Sequence, residues 1–144
     1  MNQNHRSRRL ALQGLCCLDV QGLKVRDLVD EFISDSQEPP MVIEAARELL
    51  ANAMEEEGQA DELLTRHARH WELGRLAMVD RNILRLSVYE LRKSQAPTKV
   101  IISEALKLAQ EFSTAESPRF INGVLDAVAK EIRGQVNPAA GEKD

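Results

Sequence analysis

The chain predicts an all-α fold, a compact bundle of about seven helices in two packed halves. Apolar residues recur at three- and four-residue spacing along nearly its whole length, and no segment sustains the alternation of a half-buried strand. The prolines and most glycines fall between the periodic runs, where helices start and stop.

Leu10, Leu12, Leu15 and Leu18 give a first helix over about residues 7–20, stopped at Gly22. Arg6, Arg8 and Arg9 then lie on or just before its first turn. Leu28, Val29, Phe32 and Ile33 form the apolar face of a second helix over about residues 25–34, and Ser36, Pro39 and Pro40 break the chain after it. A third helix starts at those prolines, carries Val42, Ile43, Ala46, Leu49, Leu50 and Ala53, and runs out in glutamates at Gly58. Leu63 and Leu64 face inward from a short fourth helix over about residues 60–70, followed by Trp71 and a break at Gly74.

The segment over about residues 76–93 is apolar on more than one side, with Leu76, Val79, Ile83, Leu84, Leu86, Val88 and Leu91, which marks a central helix. Pro97 opens a sixth helix whose stripe is Val100, Ile101, Ala105, Leu108, Ala109 and Phe112. Ser117 reads as the cap of the last helix and Pro118 as its first residue; Ile121, Val124, Leu125, Val128 and Ile132 face inward and Gly134 ends it. Residues 1–134 thus form one all-helical domain, with an N-terminal half over about residues 6–70 and a C-terminal half over about residues 75–133. Residues 135–144, with Pro138, Gly141 and alternating small and charged residues, read as a disordered tail.

At 144 residues the chain is long enough to bury a core without disulfide or metal. Its cysteines, Cys16 and Cys17, are adjacent, a spacing unsuited to a disulfide staple. With no apolar signal segment or membrane span, a cytoplasmic protein is expected. His67 and His70 stand three apart on a helix, but nothing completes a metal site around them. There is no Gly-rich phosphate loop and no nucleophile, base and orienting group at recognisable spacing, so neither enzyme chemistry nor a cofactor is expected.

The net charge of −4 argues against non-specific coating of nucleic acid, yet the charge is uneven. The first acid is Asp19, preceded by His5, Arg6, Arg8 and Arg9. Three Arg–phosphate contacts would give a salt slope of only roughly −2 on a single strand, so a second surface or a partner is needed. The start of the last helix supplies a candidate: Arg119 and Phe120 pair a cation with a ring where free N–H groups favour an anion. Taken alone, Phe120 also fits a core position, since Val124 and Val128 share its helical spacing. Asn122 and Gly123 are unusual on a first turn; Gly123 would admit a close helix backbone, and Asn122 could bind a helix end or a base edge. Lys99 stands on another helix start, and Asp80 and Arg81 form a first-turn charge pair. Aromatic residues make up 3% of the chain, which excludes a broad stacking platform.

These segments, in this order, resemble the NusB family of bacterial transcription antitermination factors. The likeness is specific in the arginine-rich start (Arg6, Ser7, Arg8, Arg9), in residues 80–91, and in residues 97–105 running on to residues 120–126. It implies an all-helical protein that binds the boxA element of nascent ribosomal RNA as single-stranded RNA, together with the small-subunit ribosomal protein NusE, and joins the RNA polymerase antitermination complex. By position, Arg6, Arg8 and Arg9 match the basic RNA-binding arm; Lys99, Arg119 and Phe120, with Asn122 beside them, match the C-terminal RNA surface; Asp80 and Arg81 are candidates for the partner face. Many relatives carry a tyrosine and a tryptophan where this chain has Cys16 and Leu18, and one lost stack would lower affinity by roughly 1–3 kcal/mol. Thr98 replaces a frequent aromatic, Ser103 an asparagine, and Ser113 a helix-ending glycine.

Two other readings stay open: a protein-interaction module whose arm never meets RNA, and a homodimer. A third, the NusB-like domain of ribosomal RNA cytosine methyltransferases, finds no cofactor-binding strand or loop in this sequence.

Overall fold

The computed structural model describes residues 3–68 and 76–134, and these form seven α-helices and one short 3-10 turn, with no strand among them. The helices are α1 (Gln3–Gln21), α2 (Arg26–Ser34), α3 (Pro40–Glu55), α4 (Glu57–His67), α5 (Met78–Lys93), α6 (Thr98–Phe112) and α7 (Ser117–Arg133), with the turn at Leu23–Val25. They group into two compact units that divide between Glu56 and Glu57: α1–α3 form unit 1 and α4–α7 form unit 2. The expectations for His70, Trp71, Gly74 and the tail over residues 135–144 lie outside the described residues.

In unit 1, α1 packs along α3 and α2 closes over both. The contact is close because of Gly14: a Cβ there would meet Leu50 Cδ2 and Val29 Cγ1 at 3.1 Å each. Glycine inside a helix costs about 1 kcal/mol relative to alanine, and this approach offsets it. Gly22 stops α1 as expected, with φ +83° and its N–H donating to Leu18 O at 2.7 Å. The start of α1 differs from the sequence reading. The helix begins at Gln3, so Arg6, Arg8 and Arg9 lie inside it, about one turn further in than expected. Polar residues carry no periodicity, which hid this extra turn, and Ser7 is a buried helical residue whose Oγ donates to Val42 O at 3.3 Å. Only half of the expected α2 face is buried: Val29 and Ile33 are inside, whereas Leu28 and Phe32 are 64% and 49% exposed.

Unit 2 is built around α5, which contacts α4, α6 and α7 and buries Ile83, Leu84, Leu86, Val88 and Leu91. This central placement matches its apolar character on several sides. The sequence reading grouped α4 with the N-terminal half, but its inward residues Ala60, Leu63 and Leu64 belong to a helix that packs on α5 and α7. Arg85 of α5 meets Asp61 of α4 in a two-pronged pair, Nε to Oδ1 at 2.8 Å and Nη2 to Oδ2 at 3.0 Å.

The C-terminal end of α5 is closed by a residue from far along the chain. Arg133 Nε donates to Leu91 O at 2.9 Å, Nη1 to Ala96 O at 2.8 Å and Thr98 Oγ1 at 3.1 Å, and Nη2 to Glu90 O and Ser94 O at 3.2 Å each. One guanidinium therefore ties together the end of α5, the start of α6 and the end of α7. Its positive charge also sits at the negative end of the α5 dipole. Burial pulls its pKa below the ordinary arginine value.

Candidate nucleic-acid interface

In unit 1 the three arginines of the basic arm are drawn into the protein. Arg6 Nε donates to Glu38 Oε1 at 2.8 Å, a half-buried ion pair whose side chains are 31% and 21% exposed. Glu38 reaches it from the break after α2, where Gln37 adopts φ +71°. Arg8 is 8% exposed, and both Arg8 and Arg9 interact with other protein groups. The extra helical turn places these side chains against the protein, and Arg8 does not face solvent. Arg6 and Arg9 stay half-buried, at the edge.

In unit 2 the residues expected to meet RNA lie along α6 and α7, which pack side by side. Lys99 is exposed on the first turn of α6 and shares a groove of about 710 Å³ with Ser103, Lys107, Gln110 and, from α7, Asn122 and Asp126. Arg119 is exposed and Phe120 half-buried; both border a second cleft of about 500 Å³ at the α6–α7 connection, together with Asp80, Thr114 and Ser117. Because residues three apart on a helix are neighbours, Arg119, Asn122 and Asp126 form one outward stripe of α7. Lys99, Arg119 and Asn122 have no hydrogen-bond or ion-pair partner among the described residues.

The α7 start is not the open anion site that the sequence suggested. Ser117 is the first helical residue rather than the cap, and it is buried. Its Oγ donates to Asp80 Oδ2 at 2.8 Å, while Ser113 Oγ donates to Asp80 Oδ1 at 2.5 Å; Ser113 and Thr114 hydroxyls lie 2.8 and 3.0 Å from Ser117 Oγ. Ser117 N–H is used by Thr114 O and Phe120 N–H by Glu116 O, and Pro118 has none. A carboxylate from the protein already occupies that end. Asp80, 8% exposed, is therefore an inward anchor of the α6–α7 connection rather than part of a partner face. Arg81 is half-buried and donates to Leu76 O at 3.4 Å. Ser113, in place of a glycine, leaves α6 in an extended conformation (φ −126°, ψ −161°), so no left-handed residue is required there.

Gly123 also departs from expectation. It is exposed, and a Cβ on it would meet nothing within 4 Å; the close-approach glycine is Gly14. His67 Nε2 lies 2.5 Å from Glu131 Oε1, and Arg66 pairs with the other oxygen of the same carboxylate, fastening α4 to α7. These hydrogen bonds, His67 first, hold Glu131 below its ordinary pKa. Among the described residues no cluster of His, Cys, Asp and Glu could hold a metal, and no helix is long and apolar enough to cross a membrane.

The sequence pattern of the NusB family matches residues 5–130. The chain is 41% identical over 134 residues to a transcription antitermination protein NusB of Solibacter usitatus (strain Ellin6076), covering 92% of each. Among solved structures, T. maritima NusB superposes with a TM-score of 0.78 at 32% identity, covering 91% of this chain and 92% of that one. A chain from the crystal structure of antitermination factors NusB and NusE in complex with dsRNA gives a TM-score of 0.79 at 27% identity, covering 91% and 98%. By sequence pattern, relatives and fold alike, the chain belongs to the NusB family.

Proposed function

We propose that this chain is an RNA-binding transcription antitermination factor that acts with the ribosomal protein NusE in the cytoplasm. Loaded on the boxA segment of a nascent ribosomal RNA, the pair joins the RNA polymerase complex and suppresses premature termination. It is a binding factor, not an enzyme. Family membership across both units carries this reading. The chemistry of α6 and α7 supports it: two uncommitted cations, Lys99 and Arg119, suit phosphates, and the uncommitted Asn122 amide suits a base edge. Phe120 offers part of a ring for one unpaired base, a contact worth about 1–3 kcal/mol. In unit 1, Arg6 and Arg9 are assigned to phosphate, Arg6 by exchanging Glu38 for RNA.

The deciding experiment is a titration of boxA RNA with and without NusE at several salt concentrations. Tighter binding with NusE and a salt slope that shrinks by about one on Lys99→Ala or Arg119→Ala are expected. Absence of binding even with NusE would refute the RNA assignment. The engagement of Arg6 and Arg8 by the protein favours one second reading, a protein-interaction module; RNA that leaves the NusE affinity unchanged would select it.

A further inference from the structure

A groove of about 280 Å³ runs between α1 and α2 in unit 1, and none of its lining residues is assigned to RNA above. Its α1 wall is the stripe Gln13, Cys17 and Gln21; its other wall is Val25 of the 3-10 turn with Leu28 and Phe32 of α2. The span from Gln13 to Gln21 is about 12 Å, two turns of helix. Leu28 and Phe32, one turn apart, leave about two thirds and half of their surface in water, and Val20, 65% exposed, adjoins the α1 wall. Nothing in the packing of unit 1 explains why these residues are leucine, phenylalanine and valine, since a surface helix ordinarily keeps its apolar stripe inward.

The charges beside the stripe indicate what covers it. At helical spacing, the outward flank of Leu28 and Phe32 consists of Asp27, Glu31 and, just past the helix end, Asp35, against one Lys24; all four are exposed. A second copy of the chain on this patch would set the same carboxylates against themselves, because a twofold interface pairs identical surfaces. We propose that the α1–α2 groove is a docking site for an amphipathic helix of a partner protein, with an apolar stripe of about two turns that seats between Cys17 and Phe32 and flanking lysines or arginines that face Asp27, Glu31 and Asp35. The proposal does not depend on the RNA reading.

The test uses the full chain and two stapled helical peptides of about 14 residues, each with Leu at helical i, i+3, i+4 and i+7 spacing; one carries Lys elsewhere and the other Glu. The Lys peptide is expected to bind in a salt-sensitive way and to shift the amide resonances of Gly14, Cys17, Leu28 and Phe32. A Leu28→Ser/Phe32→Ser variant should weaken it by about tenfold or more. Because both side chains are exposed, that variant should melt close to the parent. An independent variant, Asp27→Lys/Glu31→Lys/Asp35→Lys, leaves the apolar stripe untouched and should reverse the preference toward the Glu peptide. Equal binding of the two peptides, binding that ignores both variants, or self-association that disappears on Leu28→Ser/Phe32→Ser while no peptide shifts the groove would each overturn the proposal.

Discussion

The two sets of cations expected to meet RNA differ in what the protein already does with them. On α1, Arg6 is paired with Glu38, Arg8 is buried and Arg9 is engaged, so the most basic stretch of the sequence presents little free charge. On α6 and α7, where the sequence is less conspicuous, Lys99 and Arg119 stand exposed and without a partner among the described residues. The contrast teaches that a run of charge in a sequence measures composition, whereas binding draws on charge left over after folding. A phosphate approaching α1 must compete with a carboxylate; one approaching α6 displaces only water and counterions.

The largest effect is expected where the free set is held in place. Arg133→Ala removes a guanidinium shared by five acceptors and leaves Leu91 O at the end of α5 without its charged donor. It should destabilise unit 2 by about 2–4 kcal/mol, read by denaturant melts, and Arg133→Lys should restore only part of this. A loss below about 0.5 kcal/mol would mean that the α6 start is held by packing alone.

Next comes the contrast itself. Phe120→Ala with Arg119→Ala should lower boxA affinity in the presence of NusE by about tenfold to a hundredfold, whereas Arg6→Ala should lower it by about threefold. The reverse order would invert the comparison and return the main role to the basic arm. Glu38→Gln sharpens the same point in the opposite direction. By releasing Arg6 it should tighten RNA binding by about two- to fivefold, most clearly at low salt, and this gain should vanish in an Arg6→Ala background.

The smallest effect is a pH dependence. Glu131 is held below its ordinary value of 4.5 by the His67 and Arg66 hydrogen bonds. A depressed carboxylate pKa contributes stability that is present above the unfolded value and lost as pH falls through the folded one. Thermal melts of the parent and a Glu131→Gln variant should therefore differ at neutral pH and converge below about pH 4. A gap that stays constant would show that the α4–α7 fastening is not ionic.

Much of the fold was legible in the sequence because periodicity reports which face of a helix is buried. That suffices for the central position of α5, for the stop at Gly22 and for the inward faces of α6 and α7. It does not report what lies opposite. Gly14 and Gly123 look alike as interior helical glycines, and only the third dimension sets Val29 and Leu50 against one and nothing against the other. Ser117 has the residue type and place of a cap, yet a carboxylate 37 residues earlier in the chain draws its hydroxyl inward. Arg133 had no local signal, since its acceptors are mostly backbone carbonyls, which every residue possesses. Among the candidate site residues, Lys99, Arg119 and Asn122 lie on an exposed surface. The fate of Arg8 and Asp80 depended on long-range neighbours that no short motif encodes.

With Asp80 anchored at one end and Arg133 clasping the other, α5 is fastened at both termini, the places where an isolated helix would begin to melt. Peeling from an end is blocked, so its amide hydrogens should exchange only through cooperative opening of all four helices of unit 2. The α6–α7 surface would then be present whole or absent whole, an all-or-none platform rather than one that loosens by degrees.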